Sequence, residues 1–427
     1  MTKHTFGFDT RSIHAGQRPD PETGARAMPI YQTTSYVFDD PQYAADLFAL
    51  QSFGNIYTRI SNPTNAAFEE RMASLEDGLG GLATASGMSA QLLSILTICE
   101  AGDNIIANRA LYGGTFTQFD VTLRRMGIDT TFVDTNDTDA IEAAITDRTR
   151  LVYGETIGNP GGDILDLGAI SDLAHSYGLP LVVDNTFASP ALCRPIEHGA
   201  DVVVHSATKF IGGHGTVIAG VIVENGLFPW DNGRFPAIVE PSAAYHNLRF
   251  WENFREYAYL MKARMELLRD VGSVLSPFSS FLLLLGLETL SIRMDRHVAN
   301  AQAVAEFLDN DKRVSWVSYP GLPSHESYDL ARKYVPAGPG AVFTFGIAGG
   351  YEAGVSFIKR VELASHLANV GDAKTLVIHP ASTTHQQVPP EERDAAGVGN
   401  DMIRISVGLE NIEDIIWDLD QALGSGR

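Results

Sequence analysis

Lys209 stands in the run Ser206-Ala207-Thr208-Lys209, and Gly212-Gly213-His214-Gly215 follows at once. Two hydroxyls beside an amine, at the carboxyl end of a strand, suit a phosphate together with an aldehyde held as a Schiff base. A lysine on its own is nearly always a solvated face, so Lys209 gains weight only from its company. The run is not a nucleotide phosphate loop, because GxxxxGK[ST] is absent. Leu181-Val182-Val183-Asp184 ends an apolar strand in a carboxylate, which is costly unless paired; it either caps a turn or faces a cation. Ser86-Gly87-Met88 opens a helix after another strand. Free N–H groups and the helix dipole there favour an anion, and glycine lets it come close, although an ordinary small-residue helix start looks the same. Asn159, within Gly158-Asn159-Pro160-Gly161-Gly162, either turns the chain or donates to a ring oxygen. Tyr112 either packs in the core or stacks on a ring.

These side chains meet only if the intervening elements bring them together. Asn65 to Glu76 reads as a helix, after which short apolar runs alternate with amphipathic ones. Strands are expected over Gly81–Ala85, Asn104–Ala107, Thr130–Val133, Arg150–Glu155, Leu181–Asp184, Asp201–His205 and Val217–Val223. Helices are expected over Ser86–Cys99, with Ser86 as N-cap, and over Gly114–Met126, Ala140–Ile145 and Asp166–Tyr177. Such alternation predicts an α/β fold whose mostly parallel sheet is covered on both faces. Ligands of such sheets bind beyond the carboxyl ends of the strands. Asp184, Lys209, Ser86, Gly87, Ser206 and Thr208 all fall there. They supply an acid for a pyridinium nitrogen, a lysine for an aldehyde and a cup for a phosphate, which together specify pyridoxal 5′-phosphate. Asp184 would keep the ring nitrogen protonated. Lys209, partly desolvated, would lose its proton more readily than a solvated lysine and serve as a general base.

The remainder of the chain narrows the class. Of 427 residues 44% are hydrophobic and 19% charged, an ordinary globular composition. Lysine and arginine number 31 against 52 aspartates and glutamates, a net charge of −21, which argues against nucleic-acid and membrane partners. Cys99 and Cys193 show neither a CxxC spacing nor metal-ligand company. The segment Met1 to Gln17 lacks an apolar signal core, and the longest apolar run, Phe281 to Leu285, is far short of a membrane span, so a soluble cytoplasmic protein is expected. His366, His379 and His385 lack HExxH or ligand-pair spacing, so no metal is expected. A dinucleotide site is compatible with the fold, but no GxGxxG follows the first strand. Beyond Glu224 the pattern loosens. Gly233 to Phe254 reads as irregular, with helices over Arg255–Asp270, Ser291–Leu308 and Asn411–Leu423. Further strands are expected over Val314–Ser318, Val342–Gly346 and Ile403–Val407. The expected organisation is an extended arm (1–61), a large domain (62–254) and an α+β domain (255–427).

The run Ser206 to His214 (SATKFIGGH) is similar to the lysine motif of the Cys/Met-metabolism family of pyridoxal-phosphate enzymes. Ser12 to Gly16 (SIHAG), Pro29 to Phe38 (PIYQTTSYVF) and Tyr57 to Thr64 (YTRISNPT) resemble the same family, and the likeness runs along nearly the whole chain. It implies the aspartate-aminotransferase-like fold (fold type I). It implies that Ser86, Gly87 and Met88 hold the phosphate, that Tyr112 stacks on the ring and that Asn159 contacts its oxygen. Tyr57 and Arg59 would reach the phosphate of a neighbouring subunit, with Tyr57 also near substrate, in a homotetramer built as a dimer of dimers. Arg404, in Arg404-Ile405-Ser406-Val407-Gly408-Leu409-Glu410, would clamp the substrate α-carboxylate, and Asn369, where many relatives have serine, would touch the same region. Lys209, Tyr112 and Asp184 would carry the chemistry.

Three details resemble the sulfhydrylase branch that acts on O-acetyl-L-homoserine. They are the turn Glu155 to Pro160, Asp372-Ala373-Lys374 in place of a Glu-Ser pair, and the aromatic segment Arg234 to Phe254. Gly114 stands where methionine γ-lyases place a cysteine. The resemblance therefore implies γ-replacement by sulfide to give L-homocysteine, with cystathionine γ-synthase and methionine γ-lyase as alternatives. A non-catalytic scaffold is disfavoured by the intact lysine, aspartate and arginine.

Overall fold

The computed structural model describes residues 4–134, 136–384, 386–387 and 397–424. Seven strands build the first sheet: β1 (Gly80–Thr84), β2 (Asn104–Asn108), β3 (Asp129–Val133), β4 (Thr149–Glu155), β5 (Leu181–Asp184), β6 (Val202–His205) and β7 (Gly220–Glu224). Their order is β1-β7-β6-β5-β4-β2-β3. Neighbours from β6 across to β3 pair in parallel, while β7 runs against both β6 and β1. All seven strands expected from the alternation form, with ends displaced by no more than three residues.

Alternation along each strand divides the core in two. Ala83, Ile106, Val152, Val183, Val203 and Val221 enter one buried cluster, and their chain neighbours Leu82, Ile105, Leu151, Val182, Val202 and Ile222 enter the other. Successive strand side chains point to opposite faces, so a sheet covered on both sides needs apolar residues at every position. The run Val202-Val203-Val204 is such a stretch.

A second sheet of β8 (Val314–Ser318), β9 (Val342–Ile347), β10 (Ser365–His366), β11 (Leu376–Ile378) and β12 (Met402–Ser406) has the order β10-β11-β12-β9-β8. It is antiparallel except for the β10–β11 pair. Its Phe343, Phe345, Ile403 and Ile405 join the same buried cluster as Val203 and Val221, so one core runs from the first sheet into the second. The amphipathic helix Ile412–Leu423 covers this sheet with Ile415 and Leu419.

Caps fix the helices that lead into the strand ends. Asn62 accepts from the Thr64 N–H at the start of helix Pro63–Glu76, and Asp77 ends it in the left-handed region at φ 58°. Ser86 accepts from the Ser89 N–H at the start of helix Gly87–Leu96, as the sequence suggests.

Four features depart from expectation. The first sixty residues contain two short helices, Phe8–His14 and Pro41–Phe48, the second capped by Asp40. The expected helix Gly114–Met126 is instead an α-helix Gly113–Thr117 continued by the π-helix Gln118–Leu123. The expected helix Arg255–Asp270 is divided into 3₁₀, α and π segments. The helix Pro277–Glu288 gave no periodic signal because PFSSFLLLLGLE has no polar face to set against an apolar one. Among the described residues no single helix is long and apolar enough to cross a membrane.

One buried polar contact ties helix Pro63–Glu76 to the ends of β6 and β5. His205, at the end of β6, shares a 2.6 Å hydrogen bond with Glu76, and both are fully buried; Asn185 Nδ2 donates to the same carboxylate oxygen at 3.0 Å. Glu76→Ala should cost about 3–5 kcal/mol in urea unfolding, because it strands a buried histidine without its acceptor. A loss below about 1 kcal/mol would show that the pair carries little of the fold.

Candidate functional site

Ser86 follows β1, Tyr112 follows β2, Asn159 follows β4, Asp184 ends β5 and Lys209 follows β6. All lie beyond the carboxyl ends of strands that run in one direction, where the fold leaves a crevice. A cleft of about 240 Å³ occupies this place. It is lined by Ser86, Gly87, Met88, Tyr112, Asn159, Asp184, Ser206, Thr208 and Lys209 from the first sheet's loops, and by Asn369 and Arg404 from the second sheet. Eleven residues singled out from the sequence thus converge on one cavity.

The anion cup depends on a close approach of backbones. A β-carbon on Gly87 would fall 2.6 Å from Ser206 Cβ and 2.7 Å from its Cα, so only glycine lets the two turns meet. Ser206 is held by its own N–H, which donates to Thr186 Oγ1 at 2.8 Å. The Thr208 hydroxyl accepts from the Ala219 N–H at 3.0 Å and donates to the Ala219 carbonyl at 3.2 Å, which locks the loop ahead of β7.

Lys209 bridges the two sheets. Its Nζ donates to Asn369 Oδ1 at 2.6 Å, and Asn369 lies in the loop between β10 and β11. Burial, and then the positive charge of Arg404, lower the amine to about 8 from its usual 10.5. Arg404, on β12, is itself pulled down by burial, and the group that supports its charge is the Tyr112 phenol. Among the described residues neither the guanidinium nor the amine is paired with a carboxylate, and two such groups facing one cleft form a site for an anion.

Asp184 lies opposite Glu155 in the parallel register of β4 and β5, so both carboxylates face the cleft. Burial raises Asp184, while hydrogen bonds from Thr186 and the nearby His205 hold it down. Its Oδ1 accepts from the Thr186 N–H at 2.9 Å. Glu155 is raised further, first by burial and then by Asp184, against the N–H groups of Tyr112 and Asn159 that favour its charge.

The Tyr112 ring is 49% exposed, as a group awaiting a partner would be, and it lies back over Gly114. A β-carbon at Gly114 would meet Tyr112 Cε1 at 2.5 Å, so any larger residue there must displace the ring. Tyr57 and Arg59 are not among the residues that line the cleft. Arg59 lies over the Tyr57 ring at 5.5 Å and donates to the Arg269 carbonyl. Asp372 and Lys374 face each other rather than the cleft.

Sequence reasoning passed over Glu155 as a site residue, and over Gln91 and Thr186. Gln91 sits one helical turn beyond Gly87, a spacing that points it into the cup. Its amide donates to Gln118 at 2.7 Å and accepts from Thr115 and Tyr153 at 3.1 and 3.3 Å, a buried network under the site. Among the described residues no three His, Cys, Asp or Glu side chains gather as metal ligands would; His385 lies outside those residues. Cys99 and Cys193 are both buried, and burial pushes their thiols up.

The set fits pyridoxal phosphate on its own chemistry: a desolvated carboxylate facing the cleft, an amine that gives up its proton more readily than a solvated lysine, and a glycine cradle that a β-carbon would fill. Comparison with known proteins agrees. Residues 9–424 match the family described as Cys/Met metabolism PLP-dependent enzyme. The chain is 53% identical over 418 residues to O-acetyl-L-homoserine sulfhydrylase 1 of Thermus thermophilus, covering 97% of this chain and 99% of that one. It is 52% identical over 419 residues to homocysteine synthase of Schizosaccharomyces pombe, covering 97% and 98%. A Campylobacter jejuni protein solved with N′-pyridoxyl-lysine-5′-monophosphate superposes with a TM-score of 0.95 at 36% identity, covering 98% of this chain and all of that one.

The depressed amine gives a direct test. Acylation of Lys209 in the cofactor-free protein, followed by mass spectrometry across pH, should rise with a midpoint near 8. Below that value the amine is protonated and unreactive, and above it neutral. A midpoint near the usual 10.5 would remove the desolvation argument.

Proposed function

This chain belongs to the Cys/Met metabolism family of PLP-dependent enzymes, and we propose that it catalyses γ-replacement, converting O-acetyl-L-homoserine and sulfide to L-homocysteine and acetate. The observation that carries the reading is a desolvated amine and a guanidinium short of negative charge facing one cleft, Lys209 and Arg404. Full-length likeness to sulfhydrylases and homocysteine synthases supports the choice of substrate.

Pyridoxal phosphate, when bound, supplies an aldehyde for amines and a ring that withdraws electron density from the substrate α-carbon. Ser86, Gly87, Met88, Ser206 and Thr208 hold the phosphate, and Lys209 holds the aldehyde. Asp184 pairs with the ring nitrogen, Tyr112 covers the ring face, and Asn159 meets the ring oxygen. Arg404 grips the substrate α-carboxylate through two N–H groups, with Asn369 beside it. Lys209 takes the α-proton at Nζ and then a proton from the β-carbon, and it returns both after exchange at the γ-carbon. There the carbon–oxygen bond to acetate breaks and the carbon–sulfur bond to sulfide forms. The lowered Lys209 amine suits this work, since a base must be neutral near working pH.

Tyr57 and Arg59 complete the phosphate site of a neighbouring copy, and Tyr57 approaches its substrate. The Tyr57 ring is 40% exposed and Arg59 is absent from its own chain's cleft, which supports a role outside the chain. On this reading residues 1–61 are the arm that reaches across, 62–254 the cofactor domain and 255–427 the α+β domain that brings Asn369 and Arg404 to the cleft, in a homotetramer of paired dimers.

Purified, cofactor-loaded protein should form homocysteine from O-acetyl-L-homoserine with sulfide. It should turn over poorly with O-succinyl-L-homoserine or with cysteine as nucleophile; a preference for either of those would move it to a cystathionine synthase activity. Lys209→Ala should lower kcat by about 10²–10⁴-fold. Arg404→Ala should lower kcat/KM about 10–100-fold, chiefly through KM, as loss of a charged carboxylate contact does. Wild-type kinetics in the arginine variant would reassign the carboxylate site.

A further inference from the structure

Glu155 is the one cleft carboxylate with no role in the reaction as described. It ends β4, 6% exposed, in register with Asp184 on β5. Its Oε1 accepts from the Tyr112 N–H at 2.7 Å, and the Asn159 N–H lies close enough to favour charge on the same carboxyl group. One side chain therefore joins two loops that follow different strands, and each loop carries a cleft residue. Tyr112 comes in after β2, and Asn159 sits in the turn after β4. The Tyr112 carbonyl accepts from the Phe116 N–H at 3.0 Å within its own helix, so the Glu155 contact is the one that ties Tyr112 to another strand. Tyr112 is half exposed and its ring rests over the bare Gly114, so the Glu155 contact holds the backbone from which the ring projects.

Charge is a poor explanation for a glutamate here. Asp184 lies beside it on the next strand, and a single ring cation balances one carboxylate rather than two. Two like charges in a buried site disfavour each other, and burial together with Asp184 raises Glu155. A protonated carboxyl still offers its carbonyl oxygen to an N–H donor. The contact to Tyr112 therefore does not require the charge, which Asp184 can supply to the ring site on its own.

We propose that Glu155 is a positioning residue that, as a hydrogen-bond acceptor rather than as a charge, fixes the segments bearing Tyr112 and Asn159 against the ring site. This rests on the cofactor-binding reading of the cleft given above. It separates two properties that glutamate combines, reach and charge. Glutamine keeps the reach and loses the charge. Aspartate keeps the charge and is one methylene too short.

The test compares full-length E155Q, E155D and E155A, loaded with pyridoxal phosphate, by visible circular dichroism of the bound cofactor and by cofactor dissociation on dilution. Far-ultraviolet circular dichroism checks the fold of each. E155Q should keep the wild-type dichroic band and an affinity within about threefold. E155D and E155A should weaken the band and lose about tenfold in affinity, the equivalent of one or two lost hydrogen bonds. E155Q failing as badly as E155A would overturn the proposal in favour of charge. So would wild-type behaviour in E155A or in E155D. If E155A does not fold, the order of E155Q and E155D decides. A wild-type protein that shows no cofactor band would remove the reading of the cleft itself, whereas a normal wild-type band with indifferent variants would remove only the role of Glu155.

Discussion

A lysine amine kept out of water beside a guanidinium is the constraint around which this molecule is arranged. Lys209 leaves the end of β6, in the first sheet, yet its hydrogen-bond acceptor Asn369 and its charged neighbour Arg404 belong to the second. Neither sheet alone can desolvate the amine. The first supplies the strand ends and the glycine cradle. The second supplies a polar lid that satisfies Nζ with a carbonyl oxygen instead of a carboxylate. A carboxylate in that place would hold the amine protonated, whereas an amide carbonyl accepts its hydrogen and leaves its proton loose.

The site was legible in the sequence to the extent that it is written in short runs. Ser206 to Lys209, Asp184 after three apolar residues, and Ser86-Gly87 at a helix start each announce a strand end with unusual chemistry. The parallel sheet made all three converge, as such sheets do. Family likeness added Asn159 and Arg404, which lack a local signal strong enough to stand alone. Glu155 escaped because its importance lies in accepting backbone N–H groups, and backbone partners leave no trace in residue type. Gln91 escaped for a related reason: its network runs through Gln118, Thr115 and Tyr153, which come together only in three dimensions.

The elements that escaped did so for reasons of pattern. Pro277–Glu288 is apolar on all sides and shows no stripe, and β10 and β11 are only two and three residues long. The interrupted helices over 113–123 and 255–271 carry helical periods, but part of each run takes π or 3₁₀ geometry. Tertiary packing settles such choices, since Phe119 of the first and Tyr259 of the second are wholly buried against the sheet.

The buried cluster that passes from Val203 and Val221 into Phe343 and Ile403 has a mechanical meaning. Clefts between two sheets often open like jaws, turning about a hinge where few contacts cross. Here the floor of the cleft is a continuous packed interior, and a swing of one sheet against the other would have to shear it. Access to the cleft is therefore a matter for the loops along its rim, while the jaws themselves stay set.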